Sequence, residues 1–419
     1  MNSPNPALVT QRAAQPIPRL ALLLFCAAYV LPGLFGRDPW KSADITAFGY
    51  MVNIAQGRTS WLAPTVGGLP ADAALLPYWL GASFIKLLGP WVDPAVAARI
   101  PFALLLVVVL VLTWYAAYHL ARTEAAQPLP LAFGGEASPT DYARAIADGA
   151  LLALIASLGL LQLGHETTPE LAQLASVALF VYALAASPFR GLQPQLAALV
   201  ALPALAASGA PSIALALGAV GAVICQRSSY ETARGLVRWI IASILLALVI
   251  GTALGAWRWR VGTGGDITPA RLWDLLRLLA WFTWPAWPLA VWTAWRWRGQ
   301  LSDRHIAIPL GCAGVALVAC VAMGGSDRAL MLALPPLAVL AAFALPTLQR
   351  STAAAIDWFS VFFFSGGAIV FWVVYVSIHT GVPRQPALNI ARLAPGYVPS
   401  FSLFALALAV VGPSRGCGW

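Results

Sequence analysis

Residues 98–121 read ARIPFALLLVVVLVLTWYAAYHLA, with charge confined to Arg99 near one end and His119 near the other. As a helix the run rises about 36 Å, enough to cross the roughly 30 Å hydrocarbon core of a bilayer. No soluble domain needs so long an unbroken apolar surface. Working outward in both directions, apolar runs recur at 20–36, 148–163, 170–187, 194–208, 211–225, 237–257, 278–296, 305–323, 329–347, 357–379 and 400–413. The pattern predicts an all-α polytopic membrane protein with about 12 transmembrane helices.

Composition points the same way. Sixty per cent of the 419 residues are hydrophobic and 10% are charged, against roughly half and about a quarter in soluble domains. The net charge of +9 is scattered singly and in pairs between the spans. That spread excludes a nucleic-acid partner, which needs cations dense enough to neutralise a run of phosphates. Cys26, Cys225, Cys312, Cys320 and Cys417 lie in apolar spans or at the extreme C-terminus without a CxxC pair, so no disulfide framework or metal site is expected. Arg12 and Arg19 precede the first apolar run, and no small-residue cleavage site follows it. That run is expected to remain as a signal anchor.

Leu75–Gly89 is apolar but short, and it carries Pro77, Tyr78, Trp79 and Lys86 in an amphipathic pattern. It is expected to lie in the membrane interface rather than cross. With that stretch on the surface and the N-terminus cytoplasmic, many arginines fall in inside loops, as the positive-inside tendency asks. The chain then reads as one transmembrane domain over 1–419, with a first periplasmic loop at 37–97 carrying juxtamembrane helices and a cytoplasmic loop at 122–147. Within the latter, the Pro/Gly-rich insert 125–140 is expected to be a flexible connection. Trp257, Trp259, Trp281, Trp284, Trp292, Trp295 and Trp297 crowd the span ends, where indoles favour the headgroup layer. The spans hold almost no charge and show no matched interrupted helices, which argues against a secondary transporter.

The chain has only 16 acidic residues, so their placement is informative. Asp38, Asp44 and Asp72 fall in the first outside loop; Glu166, beside His165, falls in the second, with Glu170 just after it. The topology brings both loops to one mouth of the bundle. Carboxylates there suit deprotonation of an acceptor, or binding of a divalent ion or a cationic sugar. No metal or other cofactor is required, because loops joined only by topology give no ligand spacing that would select a metal.

Residues 37–101 read RDPWKSADITAFGYMVNIAQGRTSWLAPTVGGLPADAALLPYWLGASFIKLLGPWVDPAVAARIP. This resembles the first periplasmic loop of the GT-C class of polyprenyl-phosphate-dependent glycosyltransferases, relatives of the aminoarabinose lipid A transferases and protein O-mannosyltransferases. Asp38 and Asp44 match the family's acidic start, and GRTSWLAP (57–64) stands for its G-D-W-x-x-P element. YWLGA (78–82) matches the interfacial helix, and AARIP (97–101) opens the next span. Further on, TPEL (168–171), Arg328 before a Leu/Pro-rich helix, IDWF (356–359) and NIARLAPGYV (389–398) are similar to later family segments.

The resemblance implies a transferase in a bacterial inner membrane, active face periplasmic, that moves a sugar from a polyprenyl-phosphate donor to a lipid or glycan acceptor with inversion. It implies Asp44, or second Asp38, as catalytic base, with Glu170 as the second acidic residue. Lys41, Arg58, Arg258, Arg260, Arg271 and Arg328 are then candidates to neutralise the leaving phosphate. Asp72, Tyr78, Trp79, His165 and Glu166 complete the expected substrate-binding set. Three features depart from the family. Ala73 stands where relatives have a lysine in E-K-P-P-L; Ser208-Gly209-Ala210-Pro211 replaces T-K-G-P; and the chain stops soon after Val411, where relatives continue. These departures raise an alternative of another class, a non-catalytic GT-C-like protein that binds polyprenyl lipid or scaffolds a membrane complex.

Overall fold

The computed structural model describes residues 6, 7, 9–35, 39, 41–71, 74–130, 134–257, 268–348, 350–393 and 396. The chain forms two compact units, Met1–Thr347 and Leu348–Trp419. The first opens with α1 (Arg19–Val30), α2 (Ser42–Ala55), a hairpin of β1 (Thr65–Val66) and β2 (Leu69–Pro70), α3 (Leu75–Leu88) and α4 (Pro94–Ala121). It continues with α5 (Pro139–Ala156), α6 (Leu158–Leu163), α7 (Pro169–Ala186), α8 (Leu192–Ala207), α9 (Pro211–Gln226) and α10 (Glu231–Ala253). It ends with α11 (Pro269–Phe282), α12 (Ala286–Arg296), α13 (Arg304–Ala322), α14 (Asp327–Met331) and α15 (Leu334–Ala342). The second unit contains α16 (Arg350–Thr380) and α17 (Arg384–Leu393). Its segments Ser365–Thr380 and Arg384–Leu393 meet at 78°.

Helix starts follow local chemistry. Asp93, Ser138, Thr268 and Ser326 each accept a backbone N–H with their side chains, and the first three are followed by proline. Such caps satisfy donors that the first turn leaves without an intrahelical partner. The protein is an all-α polytopic membrane protein. Among the described residues, α4, α7, α10 and α13 are each long and apolar enough to cross a membrane alone, and the bent pair in the second unit is a fifth candidate. The number twelve is not reached by that measure, because several apolar runs are short or broken. The 148–163 run is divided at Ser157 and the 278–296 run at Thr283–Pro285. The two breaks answer one another: the Leu158 N–H donates to the Trp284 carbonyl at 3.0 Å. Gly159 leaves room there for the Phe282 ring, which lies 2.2 Å from where a Cβ would sit. A break deep in an apolar bundle is tolerated when a neighbour supplies the missing backbone partner. The final expected span, 400–413, lies outside the described residues.

Two other expectations change. Trp297, expected at the headgroup layer, is 1% exposed. Its indole N–H donates to the Phe343 carbonyl at 3.3 Å, and its ring meets His305 edge-on at 4.7 Å. The 125–140 insert, expected to be flexible, is tied on both sides of residues 131–133 to the N-terminal segment. Leu129 N–H donates to Ala7 O, Ala137 N–H to Val9 O and Gln11 N–H to Gly135 O. Gln11 Nε2 also reaches Asp141 at 2.8 Å, and Ile17 N–H donates to Asp148 at 2.9 Å. Asp148 in turn takes the Trp114 indole N–H at 2.8 Å. Residues 9–17 therefore form a strap against α4 and α5.

Arg122, at the strap end of α4, lies 5.0 Å from the Phe189 ring, which faces Tyr230 at 6.4 Å. Arg304 donates to the Leu184 carbonyl. The connections after α4, α7, α9 and α12 thus gather at this end of the first unit. The opposite end collects α2, the hairpin, α3, the 164–168 segment and the start of α14. The α8–α9 turn joins them there, with a Cβ at Gly209 placed 3.2 Å from Ala74.

Candidate functional site

The site is built at that second end. In α2, Asp44, Ala47, Met51 and Ile54 are all buried. Spacings of 3, 7 and 10 residues put them on one helical face. The apolar members dock α2 on the bundle and take the carboxylate in with them. Met51 Sδ lies 2.2 Å from where a Cβ on Gly81 would sit, so glycine in YWLGA lets α3 approach α2. Asn53 Nδ2 donates to Thr65 O at 2.8 Å and the Tyr50 hydroxyl to Pro70 O at 3.2 Å, fastening the hairpin to the same helix.

Asp44 is 1% exposed. Its Oδ1 accepts two hydrogen bonds from one residue, the Thr167 N–H at 2.8 Å and the Thr167 hydroxyl at 2.6 Å. The neighbouring Glu166 carboxylate is 0% exposed and bridges two cations. Lys41 Nζ lies 2.7 Å from Oε1, and Arg328 Nη2 lies 3.0 Å from Oε2. Arg328 extends its other branch, Nη1, to Glu170 Oε2 at 2.9 Å. Burial disfavours the Arg328 charge, but Glu170 and Glu166 outweigh it and hold the guanidinium protonated more firmly than usual. Two cations and two carboxylates leave this network neutral.

His165 Nε2 lies 2.9 Å from the Tyr29 carbonyl, and the two rings are 5.1 Å apart. Gly33 makes the space, because a Cβ there would fall 2.0 Å from the imidazole Cδ2. Beside it an apolar crevice runs between α1 and α4, walled by Val30, Leu34 and Phe102, with Arg99 and His165 among its polar lining.

Of the residues expected from sequence, Asp44, Lys41, His165, Glu166, Glu170 and Arg328 are thus gathered in one place. Tyr78 is buried against Tyr50, with ring centroids 5.2 Å apart, and Trp79 donates its indole N–H to Trp61 O at 2.7 Å. Arg58 is exposed just past α2, and Arg271 is exposed in the first turn of α11. Asp38, Asp72, Arg258 and Arg260 lie outside the described residues, as does Ala73. Among the described residues no group of three His, Cys, Asp or Glu side chains is placed to hold a metal ion. The acidic and histidine side chains gathered here each have a partner: Glu166 and Glu170 face cations, His165 faces a carbonyl and Asp44 faces Thr167. Thr167 was not signalled by the sequence. Its adjacency to Glu166 is the one clue, and that clue has meaning only once Glu166 is known to be buried.

No family model and no curated protein matches the sequence. Two solved structures match across 95% of this chain and 69% of theirs. One is ArnT from Cupriavidus metallidurans bound to undecaprenyl phosphate, with a TM-score of 0.60 and 15% identity. The other is ArnT from the same organism in the apo state, with a TM-score of 0.58 and 13% identity. Identity this low speaks to the fold alone, and on that evidence the chain has the polytopic all-α fold of the GT-C glycosyltransferases.

Proposed function

We propose that this protein transfers a sugar from a polyprenyl-phosphate donor to a lipid or glycan acceptor, at the outer face of a bacterial inner membrane. The observation that carries the reading is Asp44, a carboxylate held by Thr167 at the mouth of a GT-C-like bundle. The neighbouring structure with bound undecaprenyl phosphate supports the donor class. Orientation is supported by charge. The strap end carries Arg122, Arg190, Arg227, Arg298 and Arg304, as expected of a cytoplasmic face, and Asp44 lies at the other end.

In this reading Asp44 Oδ2 takes the proton from an acceptor hydroxyl or phosphate. The freed oxygen pair attacks the anomeric carbon, the bond from that carbon to the phosphate oxygen breaks, and polyprenyl phosphate departs with the electron pair. The proton ends on Asp44 and the anomeric centre inverts. Lys41 and Arg328 both pair with Glu166, the residue before Thr167, so each already faces a carboxylate. The field they offer the leaving phosphate is offset by Glu166 and Glu170. Arg58, Arg271, Arg258 and Arg260 are the further cations of this proposal, and Glu170, Asp38, Asp72, Tyr78, Trp79 and His165 its other binding groups.

A second reading, a non-catalytic lipid-binding or scaffold protein of the same fold, is favoured by the burial of Asp44 and by that offset. Purified protein in nanodiscs, given a panel of undecaprenyl-phosphate-linked sugars and cell-envelope lipid as acceptor, separates the two. Release of undecaprenyl phosphate, read by mass spectrometry, is expected from the parent and is expected to fall to background in Asp44→Asn. Equal turnover by Asp44→Asn removes Asp44 as base. A parent that binds undecaprenyl phosphate but turns over no donor supports the second reading.

A further inference from the structure

Thr167 spends both of its donors on one oxygen of one side chain. Its N–H and hydroxyl converge on Asp44 Oδ1 at 2.8 and 2.6 Å, and among the described residues no hydrogen bond reaches Oδ2. The two oxygens of the carboxylate are thereby made inequivalent. The donors are themselves held in place. Thr167 is 2% exposed and follows Glu166, whose side chain is fixed by Lys41 and Arg328. Lys41 immediately precedes α2, and its carbonyl accepts the Ile45 N–H at 2.9 Å. The start of α2 is therefore gripped at two points by two consecutive residues, Lys41 by Glu166 and Asp44 by Thr167. A buried carboxylate needs hydrogen-bond partners whatever its role. Convergence of two donors on one oxygen does more, since it fixes the plane of the carboxylate and the direction of its remaining lone pairs.

We infer that Thr167 is a positioning residue that locks the Asp44 carboxylate through Oδ1 and presents Oδ2 as the proton-accepting oxygen. The inference rests on the transferase reading above and extends it to a residue that acts through Asp44. Thr167→Val keeps the β-branched outline and the backbone N–H but removes the hydroxyl donor. Thr167→Ser keeps both donors.

The test uses the undecaprenyl phosphate release assay on full-length protein in nanodiscs, with Asp44→Asn measured alongside. With any donor that the parent turns over, Thr167→Val is expected to lower kcat on the order of 10- to 100-fold, the scale of a misplaced reacting group. KM for the donor should move less than about threefold, because no ground-state contact is lost. Thr167→Ser should restore kcat to within about threefold of the parent, since both donors are back. Thr167→Val and parent are first compared by size-exclusion profile and thermal unfolding; should Thr167→Val not fold, Thr167→Ala against Thr167→Ser makes the same comparison. A valine variant with the parent's kcat overturns the inference while Asp44→Asn, if inactive, leaves the transferase reading standing. A loss in which KM rises in step, unrescued by serine, assigns Thr167 to the architecture and overturns it equally. A parent that turns over no donor removes the transferase reading and this inference together.

Discussion

Removing the Glu166 carboxylate takes away the partner that Lys41 and Arg328 share. Arg328 keeps Glu170 at 2.9 Å, whereas Lys41 keeps a long contact to the Gln162 carbonyl at 3.4 Å. Breaking a wholly buried pair costs roughly 3–5 kcal/mol. Lys41 and Arg328 each retain 25% of their side-chain exposure, so the expected cost of Glu166→Ala is smaller, about 2 kcal/mol. Chemical denaturation in mixed micelles measures it. A double-mutant cycle with Arg328→Ala should return a coupling of about 1–2 kcal/mol, and a coupling within error of zero would mean the pair contributes nothing. Glu166, Glu170 and Arg328 were readable in the sequence because charge is scarce there and each stood next to a span. Thr167 was not, because threonine is common at helix starts and its role is defined by a partner 123 positions away.

Among the elements, the N-terminal strap makes the most specific claim. Asp141 is held below the usual aspartate range, chiefly by the Gln11 amide and then by the Ser138 hydroxyl, against burial, with the Arg144 charge the smallest contribution. A carboxyl depressed in the folded state adds stability that is present above its unfolded value and is lost as pH falls through the lower folded value. Acidification through that range should therefore release residues 9–17 from the insert. A spin label at Arg12→Cys reports it as increased mobility. In Asp141→Asn the label should already be looser at neutral pH and should lose this pH dependence; the parent's response surviving in that variant would rule Asp141 out. The strap also explains why 125–140 resembled an untethered loop. Gly134 and Gly135, with φ of 73° and 88°, supply a turn, but the segment they pair with lies near the N-terminus, with Gln11 127 positions before Ser138. Composition within a window cannot register such pairing.

At the scale of the whole molecule, the two ends of the first unit are predicted to face opposite aqueous compartments. Arg58 and Trp91 are exposed beside α2 and α3, whereas Arg12 and Arg227 are exposed at the strap end. Single cysteines at the first two positions should react with a membrane-impermeant maleimide in intact spheroplasts, and those at Arg12 and Arg227 only after lysis. Cys225, Cys312 and Cys320 are buried, and Cys26 and Cys417 are first changed to serine to keep the background low. Labelling of Arg227→Cys in intact spheroplasts would reverse the orientation.

Membrane residence, the all-α class and the scarcity that makes each carboxylate informative were determined by the sequence itself. They follow from sums over local windows, which register apolar length and charge density without knowledge of neighbours. The broken runs at Ser157 and Thr283–Pro285, the inward turn of Trp297 and the grip of Thr167 on Asp44 were decided only by tertiary structure. Each is a donor–acceptor pair closed between distant segments. Whether a backbone break or a buried carboxylate is tolerable depends on a partner that the fold brings to it, and no local stretch of chain contains that partner.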